Sequence, residues 1–321
     1  MEKGNCVLCS KETEAKTYIR TNSGGFAFSY LKCQGCGLVF LNPLPDEKEI
    51  LKFYGQDYYG EGAQKFRFWL EAPRLFFAWN RMRRVQKLFP RPGKALDIGC
   101  GPGTFLQLLK GKGWECHGTE LTEESASRVS RQGISVSVGE IDENRFPLHS
   151  FDLITLWQVL EHLPDPMKTL KSSRRLLKKR GIVAISTPNI ESLQAEVGRD
   201  QWFHLDPPRH LYLYSPGTLE QMMDSLGFQL LKLHHFSLEQ NPYGWLQSLL
   251  NLSGLPENSL YMILKNTPNS RKKCLNISQR GKALLLAAGL LPHCLAVSLI
   301  MALFQRGGTI EAYFRLKAIE D

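Results

Sequence analysis

The sequence predicts an α/β fold: a doubly wound, Rossmann-like sheet with helices on both faces, a small cysteine module before it and an apolar helical insertion near the C-terminus. Three observations carry this. Between residues 94 and 235 short apolar runs alternate with helical stretches, the pattern of βαβ units and a parallel sheet. One run, ending in Leu96-Asp97-Ile98, passes at once into Gly99-Cys100-Gly101-Pro102-Gly103 and an apolar helical stretch with Phe105, Leu106, Leu108 and Leu109. Upstream, Cys6-x-x-Cys9 and Cys33-x-x-Cys36 stand apart from any helical periodicity.

The elements follow in order. Residues 1–45 form the cysteine module, and residues 46–93, rich in aromatics and arginine, a helical cap or linker. Residues 94–235 form the sheet domain, with strands expected at Lys94–Ile98, Glu115–Glu120, Ser135–Val138, Phe151–Leu156 and Ile182–Thr187. Helices are expected to start near Gly103, Glu123 and Met167. Residues 236–321 hold a basic stretch, a long uncharged run and a closing strand through Gly307-Gly308 to Leu316. At 321 residues the chain buries a full core, and its apolar fraction of 43% excludes a disordered protein.

The strand-to-helix turn is the centre of the chemistry. Glycines let the backbone take unusual dihedrals and let a ligand approach closely, and in a doubly wound sheet such a turn lies at the ligand-binding end of the strands. The spacing departs from the dinucleotide G-x-G-x-x-G pattern. Glu120, at the end of the next expected strand, is placed to accept both hydroxyls of a ribose.

The four cysteines read as a closed, tetrahedral zinc site of the ribbon or knuckle type: Cys6, Cys9, Cys33 and Cys36 as thiolate ligands. A redox pair would need only one such motif in a thioredoxin-like setting. Cys100, Cys116, Cys274 and Cys294 lack this spacing and are expected as buried thiols.

Four stretches carry a family likeness: Leu96–Gly103, Phe151–Pro166 (FDLITLWQVLEHLPDP), Gly181–Asn189 (GIVAISTPN) and Trp202–Ser215 (WFHLDPPRHLYLYS). With them the chain resembles class I S-adenosylmethionine-dependent methyltransferases, and within these a bacterial group with an N-terminal cysteine module that is similar to ubiquinone-type O-methyltransferases. One departure is Arg180-Gly181 where the family usually has Gly-Gly. The resemblance implies that Asp97, Gly99, Cys100, Gly101 and Gly103 hold the methionine part of the cofactor, and that Glu120 binds its ribose. It implies Leu121 against the purine, Glu140 near the adenine, and Trp157 and Gln158 beside the methionine. A Tyr-rich segment like Tyr54–Tyr59 would cover the active site. For a hydroxyl acceptor a general base helps, and histidine suits neutral pH; His162 is the first candidate, His210 the second with His204 behind it. For His162 the alternative is a histidine that holds its own loop, and Arg209-His210 could instead bind an anionic group.

The formal net charge of +9 invites anionic partners, although a solvated basic face explains Arg81, Arg83, Arg84, Lys87 and Lys168–Arg180 equally well. From Ala283 to Phe304 there is no acid, lysine or arginine, and Arg271-Lys272-Lys273, Arg280 and Lys282 precede it. Gly289 and Pro292 divide the run, so it is expected as two short helices in a hairpin on a membrane surface, with a buried pair, a dimer contact or one span as alternatives. The opening residues show no signal pattern, which favours the cytoplasm, peripheral on the inner face of the membrane. The expected activity is O-methylation of a small-molecule or lipid-linked acceptor: a glycan, polyprenyl lipid or quinone precursor. A nucleic-acid methyltransferase would draw on the basic charge and zinc module, but the Asn-Pro-Pro-Tyr type of loop is replaced by Trp157-Gln158-Val159-Leu160-Glu161-His162. A non-catalytic binding protein would not need the intact turn and Glu120. Oligomeric state is not legible.

Overall fold

A computed structural model describes residues 2–9, 11–23, 25–46, 49, 71–265 and 275–317 of the chain. Tyr54–Tyr59, most of the expected helical stretch before Glu71, Arg271–Lys273 and Cys274 lie outside the described residues. Two compact units form: Met1–Glu71 with Pro188–Thr218 and His234–Ile310, and Ala72–Thr187 with Leu219–Leu233 and Glu311–Asp321. Of the expected sheet domain, Pro188–Thr218 falls in the first unit, and residues 72–93 of the expected cap fall in the second.

In the first unit, among the described residues, β1 (Glu2–Cys6), β2 (Lys11–Ser23), β3 (Phe26–Cys33) and β4 (Val39–Asn42) form an antiparallel meander. Its far edge is β10 (Tyr212–Leu213), which pairs with Phe40 and Val39. The segment Trp202–Ser215 therefore belongs structurally with the cysteine module. The Tyr30 hydroxyl, fully buried, donates to the carbonyls of Leu205 and His210 and ties the two together.

The expected hairpin between 283 and 304 is corrected by the structure: Ile277–Leu303 is one continuous helix with Pro292 inside it. Proline removes only its own N–H from the helical ladder, a defect a helix can absorb when packing holds both halves. Here Ala283 and Ala287 before the proline, and Cys294 after it, enter one buried cluster with Trp245, Leu246 and Leu250. A capping box between Asn276 and Gln279 starts the helix.

The second unit is built on a seven-stranded sheet in the order β11-β12-β9-β8-β5-β6-β7. Its strands are β5 (Lys94–Ile98), β6 (Glu115–Glu120), β7 (Ser135–Val138), β8 (Phe151–Trp157), β9 (Leu177–Pro188), β11 (Phe228–His234) and β12 (Thr309–Leu316). The five from β5 to β9 pair in parallel, as the alternation of apolar runs and helices predicts. Leu153, Ile154, Leu156 and Ile182–Ile185 are wholly buried because parallel strands are covered on both faces. The helices begin at Thr104, Glu123 and Pro166, and Thr122 and Asp165 cap the second and third through backbone N–H groups of Ser125 and Lys168. From β5 the chain winds outward to β7, then returns to place β8 on β5's other side. The carboxyl ends of β5 and β8 thus flank the point where strand order reverses, the crevice where such sheets bind ligands.

Candidate active site

At that crevice two carboxylates are buried side by side. Asp97, near the end of β5, is registered against Thr155 of β8, whose hydroxyl donates to Asp97 Oδ1 at 2.6 Å. Glu120 ends β6, and its two carboxylate oxygens accept the N–H groups of Gly101 at 2.6 Å and Leu121 at 2.9 Å. The glycine turn is thereby tied to the neighbouring strand. Its conformation demands glycine: Gly99 has φ +67°, and a Cβ there would lie 2.7 Å from Val159 Cγ2. Gly101, at φ +56°, faces open space, since a Cβ there would meet no atom within 4 Å.

Around the turn the predicted residues separate into groups. Cys100 closes the turn through its backbone, donating to the Thr119 carbonyl and accepting from Gly103, while its thiol packs into the core and burial raises its pKa. Leu121 stands exposed at the strand end. Glu140 lies on the surface, paired with Lys168 at 2.8 Å. Trp157 ends β8 with its ring edge-on to Phe105, and its indole N–H is buried with no hydrogen-bond partner among the described residues. Gln158 takes a left-handed φ of +55°, and its amide donates to Ser186 Oγ. Glu161 is wholly buried in the short turn Leu160–His162, where His162 is partly exposed.

One residue at the crevice was read from sequence only as part of a basic helix. Arg81 sits on the helix Glu71–Gln86 with its guanidinium 5.5 Å from the centre of the Trp157 ring, and its charge stabilises ionised Asp97. No spacing rule links Arg81 to the turn, so only the packed helix reveals it. Of the other basic residues, Arg175 pairs with Glu143 and Lys178 with Asp152 at the surface, whereas Arg84, expected on a solvated face, pairs at 2.6 Å with the buried Glu311 of the strand Thr309–Leu316.

His210 lies in the first unit. Its Nδ1 contacts the His204 carbonyl at 2.7 Å, and its Nε2 is 3.9 Å from Asp206. Burial drives the pKa of His204 down to about 3, keeping that ring neutral. Arg209, expected to be available to an anion, is paired with Asp206 at 2.5 Å.

The four sulfurs of Cys6, Cys9, Cys33 and Cys36 lie within 4.8 Å of one another. Cys6 and Cys36 are 3.5 Å apart, Cys9 and Cys33 3.7 Å. These distances are far beyond a disulfide bond and close to the roughly 3.8 Å that tetrahedral zinc–thiolate bonds of about 2.3 Å impose. The Cys36 thiol holds Cys6 down at about pKa 5, so the cluster already favours a thiolate.

Burial pushes the Asp97 carboxyl up to about 7, against the Thr155 hydroxyl and the Arg81 charge, with Glu120 adding to the rise. Below pH 3.8 the carboxyl is protonated in folded and unfolded chains alike. Between there and about 7 the unfolded chain ionises it while the folded chain does not, so stability falls as pH rises and then levels. Urea midpoints measured across this range should decline more steeply in the unaltered chain than in Asp97→Asn. Parallel curves would place the Asp97 titration elsewhere.

The profile of the methyltransferase domain matches residues 68–233. A ubiquinone biosynthesis O-methyltransferase of Thiobacillus denitrificans is 32% identical over 169 residues, covering 48% of this chain and 72% of the relative. One from Coxiella burnetii is 27% identical over 203 residues, covering 59% and 84%. Among solved structures, a SAM-dependent methyltransferase from Archaeoglobus fulgidus aligns with TM-score 0.48 at 20% identity, covering 82% of this chain and 99% of that one. With the domain profile spanning more than half its length, the chain belongs to the methyltransferase-domain family and is a class I S-adenosylmethionine-dependent methyltransferase.

Proposed function

We propose that the second unit transfers a methyl group from S-adenosylmethionine to an oxygen of a small-molecule or lipid-linked acceptor at the cytoplasmic face of a membrane. The observation that carries the reading is the pair of buried carboxylates on the glycine turn: Asp97 and Glu120 at the carboxyl ends of adjacent parallel strands, with open space over Gly101.

The residues fit the cofactor. Asp97, with Gly99, Cys100 and Gly101 supplying backbone, would receive the ammonium of the methionine part, and Gly103 would keep the turn tight. The Arg81 guanidinium is a natural partner for the methionine carboxylate. The unpartnered Trp157 N–H is a donor awaiting an acceptor, and Gln158 lines the same strand end. Glu120 would exchange its amide partners for the ribose hydroxyls. Exposed Leu121 would cover one purine face, and Glu140 would release Lys168 to meet the adenine amine. When bound, S-adenosylmethionine supplies a sulfonium-activated methyl group. The protein's part is to align the acceptor oxygen and exclude water. His162, directly after β8 and partly exposed, is proposed to take the acceptor's proton, with His210 as the second candidate.

The acceptor class rests on the named activity of the two O-methyltransferase relatives and on the apolar helix Ile277–Leu303. The ion-paired surface lysines and arginines give a nucleic-acid acceptor less support. The four-cysteine cluster is proposed to hold a structural zinc ion that pins the turns after β1 and β3.

Three outcomes follow. By calorimetry, S-adenosylhomocysteine should bind the unaltered chain, and Glu120→Ala should weaken binding about ten- to a hundredfold, the worth of one or two hydrogen bonds to a charged group. Absence of binding to the unaltered chain would sink the donor reading. Isotope-labelled methyl groups supplied with a bacterial extract should enter the organic-soluble or small-molecule fraction; label confined to nucleic acid would replace the proposed acceptor. Metal analysis should find one zinc per chain, reduced by Cys33→Ser, and a metal-free chain with unchanged stability would dismiss the zinc site.

A further inference from the structure

The helix Ile277–Leu303 uses little of its surface inside the protein. Its buried side is a narrow stripe of small residues, Ala283, Ala287, Cys294 and Ser298. Ala283, Ala287 and Cys294 pack in one cluster with Trp245, Leu246 and Leu250 of the helix Asn241–Leu252. Leu285, Leu291, Leu295, Leu299, Ile300 and Leu303 are exposed, Leu285 at 77% and Leu303 at 83%. At 100° per residue they belong to an exposed arc of about 200°, and the uncharged run from Ala283 to Phe304 is about 33 Å long. Arg280 and Lys282 stand exposed at its beginning, and Arg306 just past its end.

We infer that this arc is embedded in one leaflet of an anionic bilayer, anchoring the enzyme without crossing the membrane. A helix apolar all round calls for a protein core or hydrocarbon as its solvent, and the protein core takes only the stripe of small residues and, beside it, Leu286, Leu290 and Val297. A second copy would cover a stripe of about 100° and leave leucines wet on either side. Hydrocarbon covers the whole arc, while anionic headgroups meet the basic ends.

A single crossing conflicts with the fold. Strand β12 follows the helix directly and pairs between β9 and β11, both of which precede the helix in sequence. One passage through the bilayer would strand β12 on the opposite side from its neighbours. The helix end is also fastened back into its own unit, where the Gly308 carbonyl accepts the Asn189 N–H at 3.0 Å. Both ends of the helix therefore stay on one side.

This inference rests on the proposed function only for the identity of the leaflet. The test uses the full chain with S-adenosylhomocysteine and vesicles of phosphatidylcholine, with or without phosphatidylglycerol. The chain should float with the vesicles, more strongly when phosphatidylglycerol is present. The double variant Leu285→Glu/Leu303→Glu should lower partitioning about tenfold or more while binding S-adenosylhomocysteine as before; Arg280→Glu/Lys282→Glu should lose the preference for phosphatidylglycerol. In sealed vesicles an impermeant thiol reagent should label Ser278→Cys and Phe304→Cys above the unaltered chain's background. No flotation, or flotation indifferent to the leucine pair, overturns the inference. So does protection of either end, or a dimer in light scattering that the leucine pair dissolves without any vesicle binding. Loss of S-adenosylhomocysteine binding with flotation intact would count against the methyltransferase reading alone.

Discussion

Glu120 holds the glycine turn in place by accepting the Gly101 N–H with one carboxylate oxygen and that of its own neighbour, Leu121, with the other, and much of the second unit is arranged around that contact. The Gly101 and Leu121 N–H groups converge on one buried carboxylate, so the turn after β5 and the end of β6 form a single rigid edge. Asp97 lies one strand over in register with Gly118 and Thr155. Burial and the nearby Glu120 both disfavour charge on Asp97. The Thr155 hydroxyl and the Arg81 guanidinium offset part of that cost at Asp97. A cationic ligand would offset more.

The strand order turns this edge into a site. Because β8 returns beside β5, Trp157 and Gln158 arrive at the same end of the sheet as Asp97 and Glu120, although they come from distant sequence. The indole N–H of Trp157 is buried without a partner, a defect that costs stability unless something else occupies the crevice. Orphaned polarity, a carboxyl with raised pKa and open space over a glycine coincide here, as they do at functional sites rather than in plain cores.

The first unit solves a different problem. A short antiparallel meander cannot bury much apolar surface, and small domains of this kind commonly rely on a metal. Four thiols within 4.8 Å of one another stand at the ends of β1 and β3, close enough to share one metal ion. Tyr30 reaches two backbone carbonyls in the 205–210 loop, which makes the loop carrying Arg209 and His210 part of the module. The same unit carries the long apolar helix. Small residues on one side let it lie close against Asn241–Leu252, with Leu286 and Leu290 packed beside them, while Leu285, Leu291, Leu295, Leu299 and Leu303 are exposed.

The turn, Glu120, the four-cysteine spacing and the parallel strands from β5 to β9 were legible in the sequence because each rests on local rules: glycine dihedrals, strand-end acids, ligand spacing and apolar periodicity. The place of Arg81 beside Trp157 and the joining of β10 to the cysteine module were not, since both depend on contacts between segments far apart in the chain. Pro292 shows the limit of a local rule. It marks a break when read alone, yet the helix continues through it because packing against Trp245 and Leu246 holds the turns on both sides. The sequence by itself pointed to the donor, through the glycine turn, Glu120 and the four stretches that carry the family resemblance. Only the tertiary structure decided which charges meet in the crevice and which leucines face outward, because pairing and exposure are properties of the packed chain.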